Sequence, residues 1–436
     1  MTESPAVESL KFLEPQEVRD IARRYGTPVF VYDEESVVRA ADAMSGLPNA
    51  FGLTVRYSLK ACPSQAVIRL LGRHGLAFDA SSVWEVRRAE LAGIDPSRIM
   101  LTAQQAVFDD ELDRMVDGGL IFDAGSTAQL DEYGRRHRGG SVSVRLNPGF
   151  GSGLVRRLTS GGADSSFGIW HEEIGEVKRL VQLHQLKLTR LHSHIGSGHH
   201  WDVLIRAARE LLKYAREFDD VQVIDLGGGY RTRSLLADPL PDHREWAEEV
   251  ADALREFAEE TGRQLRLEIE PGTYIMANAG SIVTRVTEVV SSGADGHRFV
   301  KIDGGLTEIV RPSYYGAPHP LVSVAGTAEA AEAAGAAAET EQYCVAGHCC
   351  IAGDMLTIKP GAVEELEEVR LRKTEPGDLL VIERGGAYTS SMALKNFNSY
   401  PEAPEILRRS EGVFDVIRVR QSLEQMVANE QIPPDL

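Results

Sequence analysis

Over residues 27–270 short apolar runs alternate with amphipathic stretches. VFVY, VRYSLK, LAFDA, IMLTA, LIFDA, VSVRLN, LTRLHSHI, VQVIDLGGG and LRLEIEPG carry β-branched and aromatic residues between turn formers, and so predict strands. Between them, segments such as SQAVIRLLGRHG and VLIRAARELLKYAREF repeat apolar positions at helical spacing. Such repeated alternation predicts parallel βαβ units. Several runs close in polar or Gly-rich residues, which suits a TIM-type (β/α)8 barrel with its chemistry at the strand C-termini.

After about Met276 the helical spacing gives way to strand patterns. SIVTRVTEVVSS, RFVKIDGG, QYCVAGHCC and DLLVIERGG, joined by turn residues, predict an antiparallel β domain. The expected division is a barrel over residues 36–275 and a β domain made of residues 1–35 and 276–436. Two domains suit 436 residues, a length beyond which single cores seldom grow. The Ala/Glu-rich run over residues 326–341 is of low complexity and predicts a surface helix or insertion without chemistry.

Composition narrows the partners. A formal net charge of -18 repels nucleic acid and anionic lipid, so neither is expected as a partner. The N-terminal stretch MTESPAVESLKFLEPQEV lacks the basic and apolar regions of a signal peptide, and no run approaches the ~18 apolar residues of a membrane span. The expected compartment is the cytoplasm. Cys62, Cys344, Cys349 and Cys350 lack the spaced pairs of a zinc site, so free thiols are expected.

The candidate chemistry begins with Lys60, at the end of the strand in VRYSLKA, where an ammonium is unusual. It reads either as a snorkelling lysine or as one that binds a carbonyl cofactor covalently, and the latter needs a phosphate cradle and a partner for a ring nitrogen. Gly227, Gly228 and Gly229 follow an apolar strand, where bare backbone can approach an anion; a tight strand-to-helix turn is the plainer reading. Glu270, before Pro271 and Gly272, is either an exposed strand-end acid or the group that keeps a pyridine nitrogen protonated. RLHSHIGSG delivers His192, His194 and the hydroxyl of Ser197. Two histidines at i, i+2 would share one side of a strand and hold a metal, but no third acidic or thiolate ligand is evident nearby, so no metal is expected. Cys350 lies in the polar loop GHCCIAGD, where a thiol can act as a general acid.

Taken in order, TPVFVYD, YSLKA, HSHIGSG, IDLGGGY, EPGT, RPSYYGA, CCIAGD and GAY resemble the fold-type-III pyridoxal-phosphate-dependent decarboxylases over nearly the whole chain. The resemblance implies a barrel plus β domain, paired as a homodimer with shared active sites. It implies that Lys60 binds pyridoxal phosphate, His194 stacks on its ring, Glu270 faces its nitrogen, and Ser197, Gly227, Gly228 and Gly229 hold its phosphate, with Gly272, Thr273 and Tyr388 beside it. It further implies that Cys350 donates a proton in the neighbouring subunit, that Asp354 braces its loop, and that Asp79 and Arg145 support the lysine. Arg311, Tyr315, Ile351 and Tyr388 fall at substrate positions. LTAQQ, RPSYYGAPHP and FNSYPEAPEIL look like diaminopimelate decarboxylases, which favours meso-diaminopimelate to L-lysine. Thr273 and Ile351 stand where an arginine and a glutamate are usual, which leaves open the same chemistry on another amino acid, such as D-lysine or D-ornithine. Three other readings are an alanine-racemase-like enzyme, which Glu270 disfavours, a non-catalytic cofactor-holding protein, and a metal enzyme built on His192, His194 and Glu270.

Overall fold

The computed structural model describes residues 7–198, 200–334, 339–409 and 412–436. The chain divides into two compact units, one of residues 38–232 and 240–275, the other of residues 1–37, 233–239 and 276–436.

In the first unit the strands are β1 (Leu53–Ser58), β2 (Ala77–Ala80), β3 (Ile99–Leu101), β4 (Ile121–Ala124), β5 (Ser141–Asn147), β6 (Lys187–His192), β7 (Val223–Asp225) and β8 (Arg266–Ile269). Each pairs in parallel with the next, and β8 pairs with β1, so the eight close into the expected barrel. A two-residue strand, Ile169–Trp170, extends β5 outside the ring. Helices fall where apolar spacing placed them, at Gln65–Arg73 and Trp201–Ala215, and a further one spans His243–Thr261. Two others begin at Ser82 and Ser126, whose hydroxyls accept from the amides of Glu85 and Gln129.

Inside the ring, strand alternation sends polar residues inward. Arg56 of β1 holds Glu268 of β8 through two bonds, of 2.9 and 3.0 Å, and Arg190 of β6 reaches the same carboxylate at 3.3 Å. Nearer the strand ends, Asp123 of β4 accepts from Ser143 of β5 at 2.6 Å and from His192 of β6 at 2.8 Å. The interior is therefore a stack of ion pairs rather than the branched aliphatic layers usual in such barrels.

The second unit is built on a sheet in the order Val369–Arg372, Thr340–Ala346, Arg298–Ile302, Gly280–Ser291, Val29–Asp33, Glu405–Arg408, Phe414–Arg418, with Leu379–Ile382 joining Gly280–Ser291 to Leu321–Val324, and carries a separate two-stranded hairpin of Ile358–Lys359 and Ala362–Leu366. Most pairings are antiparallel, as expected. Val29–Asp33 with Glu405–Arg408 and Arg298–Ile302 with Thr340–Ala346 are parallel, so the sheet is mixed. Val18, Ile21, Val29, Val31, Val283, Val381 and Ile406 form its core. Of the Ala/Glu-rich run, Ala328–Ala334 is a helix as expected, residues 335–338 lie outside the described residues, and the last residues begin the strand Thr340–Ala346.

Candidate active site

The barrel mouth gathers the candidates of the first unit. β1 ends at Ser58, and Lys60 sits on a single 3-10 turn, Leu59–Ala61, directly after it. Its Nζ donates to Asp79 at 2.9 Å and to Ser81 at 3.3 Å, with the side chain 44% exposed. Burial opposes the Asp79 charge, but the Lys60 ammonium outweighs it and holds the carboxyl below its usual range. Lys60 is thus a primary amine held in place yet open to a small molecule.

β6 also stops earlier than its sequence predicts, at His192. The two histidines therefore part company. His192 points into the ring, buried, against Asp123; His194, on the following loop, accepts through Nδ1 from the Gly228 amide at 3.2 Å. Burial alone would lower the His192 pKa, but the Glu270 and Asp123 charges carry it up to about 9.

Glu270 lies one residue past β8, buried, with Oε2 3.8 Å from His192 Nε2 and Oε1 without a hydrogen-bond partner among the described residues. Burial, then the neighbouring Asp79 and Asp225, push its carboxyl well above the usual range. Asp225 is pushed up to about 6, chiefly by burial. Arg145 of β5 is half-buried near the same acids, its guanidinium 4.9 Å from the Phe167 ring centroid.

The glycine turn packs so closely that side chains are excluded. A Cβ on Gly228 would overlap the Glu270 carbonyl, one on Gly229 the Gly196 carbonyl, and one on Gly227 would lie 2.7 Å from the His194 ring. The Gly227 amide is donated to Asp225 at 2.8 Å and that of Gly228 to His194, so of the three expected anion donors only Gly229 has no acceptor among the described residues. Ser197 is anchored through its backbone to Leu158 and Leu154, and Gly272 precedes a short helix, Thr273–Met276.

One expectation needs correcting. The absence of a third metal ligand does not survive folding, because one ligand atom each from His192, Asp225 and Glu270 lies within 4.8 Å of the others. His194 is outside this cluster. In the trio His192 Nδ1 is bonded to Asp123 at 2.8 Å and its Nε2 lies 3.8 Å from Glu270, so the three form a buried ionic cluster.

In the second unit Arg311 and Tyr315 bound the short helix Arg311–Tyr315, and the Arg311 guanidinium lies 5.8 Å from the ring centroids of Tyr315 and Tyr388. Cys350 is exposed, its amide donating to Asn398 at 2.8 Å, and Ile351 beside it is 51% exposed. Asp354 accepts from the amides of Leu306 at 2.9 Å and Cys349 at 2.7 Å, and so ties down the ends of this loop. Cys349 is buried, and burial pushes its thiol up to about 12. Of the two adjacent thiols only Cys350 faces outward.

Residues 35–277 match the family model described as pyridoxal-dependent decarboxylase, pyridoxal binding domain. A diaminopimelate decarboxylase of Streptomyces coelicolor is 35% identical over 417 residues, covering 94% of this chain and 91% of that one. The chain belongs to the pyridoxal-dependent decarboxylases. A crystal structure of diaminopimelate decarboxylase superposes on this decarboxylase with a TM-score of 0.87 at 31% identity, covering 96% of this chain and 98% of that one. A point mutant of the Helicobacter pylori diaminopimelate decarboxylase, complexed with L-lysine, superposes at 0.80 with 25% identity, covering 94% and 98%. The family's cofactor fits the residues present. Lys60 supplies an accessible amine, the unpartnered Glu270 Oε1 supplies the buried acceptor a pyridinium N–H requires, and the glycine turn leaves bare backbone beside them. Among the described residues no helix of the decarboxylase is long and apolar enough to cross a membrane.

Three groups at this site had no sequence signal of their own. Asp123, Asp225 and Ser143 end or line strands whose apolar neighbours dominate the pattern, and they meet His192 only through barrel closure. The recurrence of a lone acid near a strand's end, in LAFDA, LIFDA and VQVID, was the available clue.

Proposed function

We propose that this decarboxylase releases CO2 from meso-2,6-diaminopimelate to leave L-lysine, in the cytoplasm, as a homodimer whose subunits share active sites. The observation that carries the reading is the pairing of a half-exposed Lys60, held by Asp79, with a buried Glu270 whose Oε1 lacks a partner. Pyridoxal phosphate, when bound, supplies the electron sink that takes up the pair released with CO2. Lys60 would hold it covalently, and Asp79, 2.9 Å away, keeps the Lys60 ammonium oriented. Glu270 would accept from its ring nitrogen, His194 would lie against its ring, and Ser197, Gly227, Gly228, Gly229, Gly272, Thr273 and Tyr388 would line the rest. Cys350, from the partner subunit, delivers the proton that replaces the carboxylate at the substrate α-carbon. Arg311, Tyr315, Ile351 and Tyr388 face the far end of the substrate. The domain division at residues 36–275 against 1–35 and 276–436 belongs to the same reading.

The relatives named above are diaminopimelate decarboxylases, one of them with L-lysine bound, which supports this substrate. The test is CO2 release by purified enzyme with pyridoxal phosphate on meso-diaminopimelate, D-lysine and D-ornithine, alongside Lys60→Ala. We expect efficient release from meso-diaminopimelate alone and loss of the lysine-bound cofactor absorption in the variant. Release from D-lysine or D-ornithine instead would move the substrate to a diamine acid. An unchanged absorption in Lys60→Ala would sink the assignment of the lysine.

A further inference from the structure

The second unit holds a concentration of buried positive charge that this chemistry uses only in part. Leu321–Val324 pairs with Leu379–Ile382, and the Glu383 amide continues the ladder by donating to Pro320 at 2.9 Å. That ladder sets residues 318–320 beside 383–384. Arg384 is 8% exposed, yet among the described residues its Nη1 reaches only the Pro318 carbonyl, at 3.5 Å, and its Nε has no hydrogen-bond partner. Neither Arg384 nor Arg311 makes an ion pair among the described residues. Asp238 acts on Arg384 from a distance, its carboxylate being engaged by the amides of Ser234 and Leu235.

Such an arrangement is costly. Burial, then the charge of Arg311, pulls the Arg384 pKa down to about 10. Its backbone is also left-handed, with φ of 60°, a conformation disfavoured for a side chain of this size. An unpaired buried guanidinium in a strained turn persists where something else compensates it. Beside it His319, also buried, donates its Nδ1–H to the Glu383 carbonyl at 3.1 Å, which leaves a lone pair on an Nε2 that has no partner. A buried guanidinium and an imidazole acceptor, on a segment whose Tyr388 ring lies 5.8 Å from the Arg311 guanidinium, match a carboxylate next to an ammonium.

We propose that Arg384 is the second guanidinium of a site for the α-amino-acid end of a ligand, gripping its carboxylate together with Arg311 while His319 Nε2 accepts from its ammonium. The proposal deepens, and rests on, the reading that the substrate is meso-diaminopimelate, whose non-reacting end is such a group and survives in L-lysine.

The test is equilibrium binding of L-lysine and of cadaverine, which lacks the carboxylate, to the holoenzyme and to its R384Q and R384K variants, with cofactor absorption and Tm as controls. L-lysine should weaken about 10- to 100-fold in R384Q, the scale of a lost charge-assisted bond. Cadaverine should be unaffected, R384K should recover part of the loss, and both controls should hold. An equal loss for both ligands, a fall in Tm without discrimination between them, or a wild-type enzyme that does not prefer L-lysine would each overturn the proposal. The two readings fail separately. If meso-diaminopimelate is not decarboxylated but R384Q still selectively loses L-lysine, the substrate is wrong and the site stands. If it is decarboxylated and R384Q binds L-lysine normally, the site is wrong and the substrate stands.

Discussion

His192→Gln should remove a defined portion of the barrel's pH-dependent stability. The imidazole is buried between Asp123 and Glu270, with Asp225, Asp79 and Arg145 also facing the cluster, and its pKa rises from 6.5 to about 9. A group whose pKa is raised on folding stabilises fully below the unfolded value and loses that contribution as pH climbs through the folded one. The gap between 6.5 and about 9, at ~1.36 kcal/mol per pH unit, is worth about 3 kcal/mol. The wild type should therefore lose about 3 kcal/mol more than the variant between pH 6.5 and 9. Glutamine retains a donor for Asp123, so the difference reports charge. All 4 tryptophans, Trp84, Trp170, Trp201 and Trp246, lie in the barrel unit, so their fluorescence follows its unfolding alone. With a urea slope of about 3 kcal/mol per M, the wild-type midpoint should fall by about 1 M relative to the variant over this range. Parallel midpoint curves for the two proteins would refute the reasoning, because His192 would then be neutral in the folded barrel.

Glu268→Gln should destabilise the barrel by about 3–5 kcal/mol, since it leaves Arg56, 4% exposed, as an uncompensated buried cation. Arg190→Gln should cost less, its side chain being 21% exposed and 3.3 Å from the shared carboxylate; the same fluorescence titration ranks the two. Cys350→Ala should lower the rate of CO2 release about 10²- to 10⁴-fold with cofactor absorption intact, whereas Cys349→Ala should act on stability and leave the rate within a few-fold. Equal rates for the two variants would remove Cys350 from the proton transfer.

The barrel was legible because short runs rich in β-formers alternate repeatedly with stretches of helical period. The mouth was legible because Lys60, Gly227, Gly228, Gly229 and Glu270 break that pattern at strand ends. What lay hidden depends on closure. Arg56 and Glu268 read as stray charges within strands, and only a ring that brings β8 back to β1 makes them a pair. Asp123 and His192 are 69 positions apart and meet for the same reason. Strand ends misled as well: YSLK and HSHI continue the β pattern, but the chain turns at Ser58 and at His192, so His192 and His194 face different neighbours. In the second unit Leu321–Val324 and Glu405–Arg408 went unread because both follow proline-rich segments that mask short runs. Arg384 gave no signal, lying in an ERGG turn that looks solvent-exposed.

The placement of Val29–Asp33 in the middle of its sheet, between Gly280–Ser291 and Glu405–Arg408, bears on how the chain is made. Asp33 and its ion-pair partner Arg408 are 375 positions apart. The ribosome therefore emits every barrel strand while this N-terminal segment still lacks both neighbours. At roughly 5–20 residues per second the barrel has several seconds to form before Glu405 emerges. The early strand is an unpaired β edge throughout that interval, so a chaperone that shields nascent edges would find its client here.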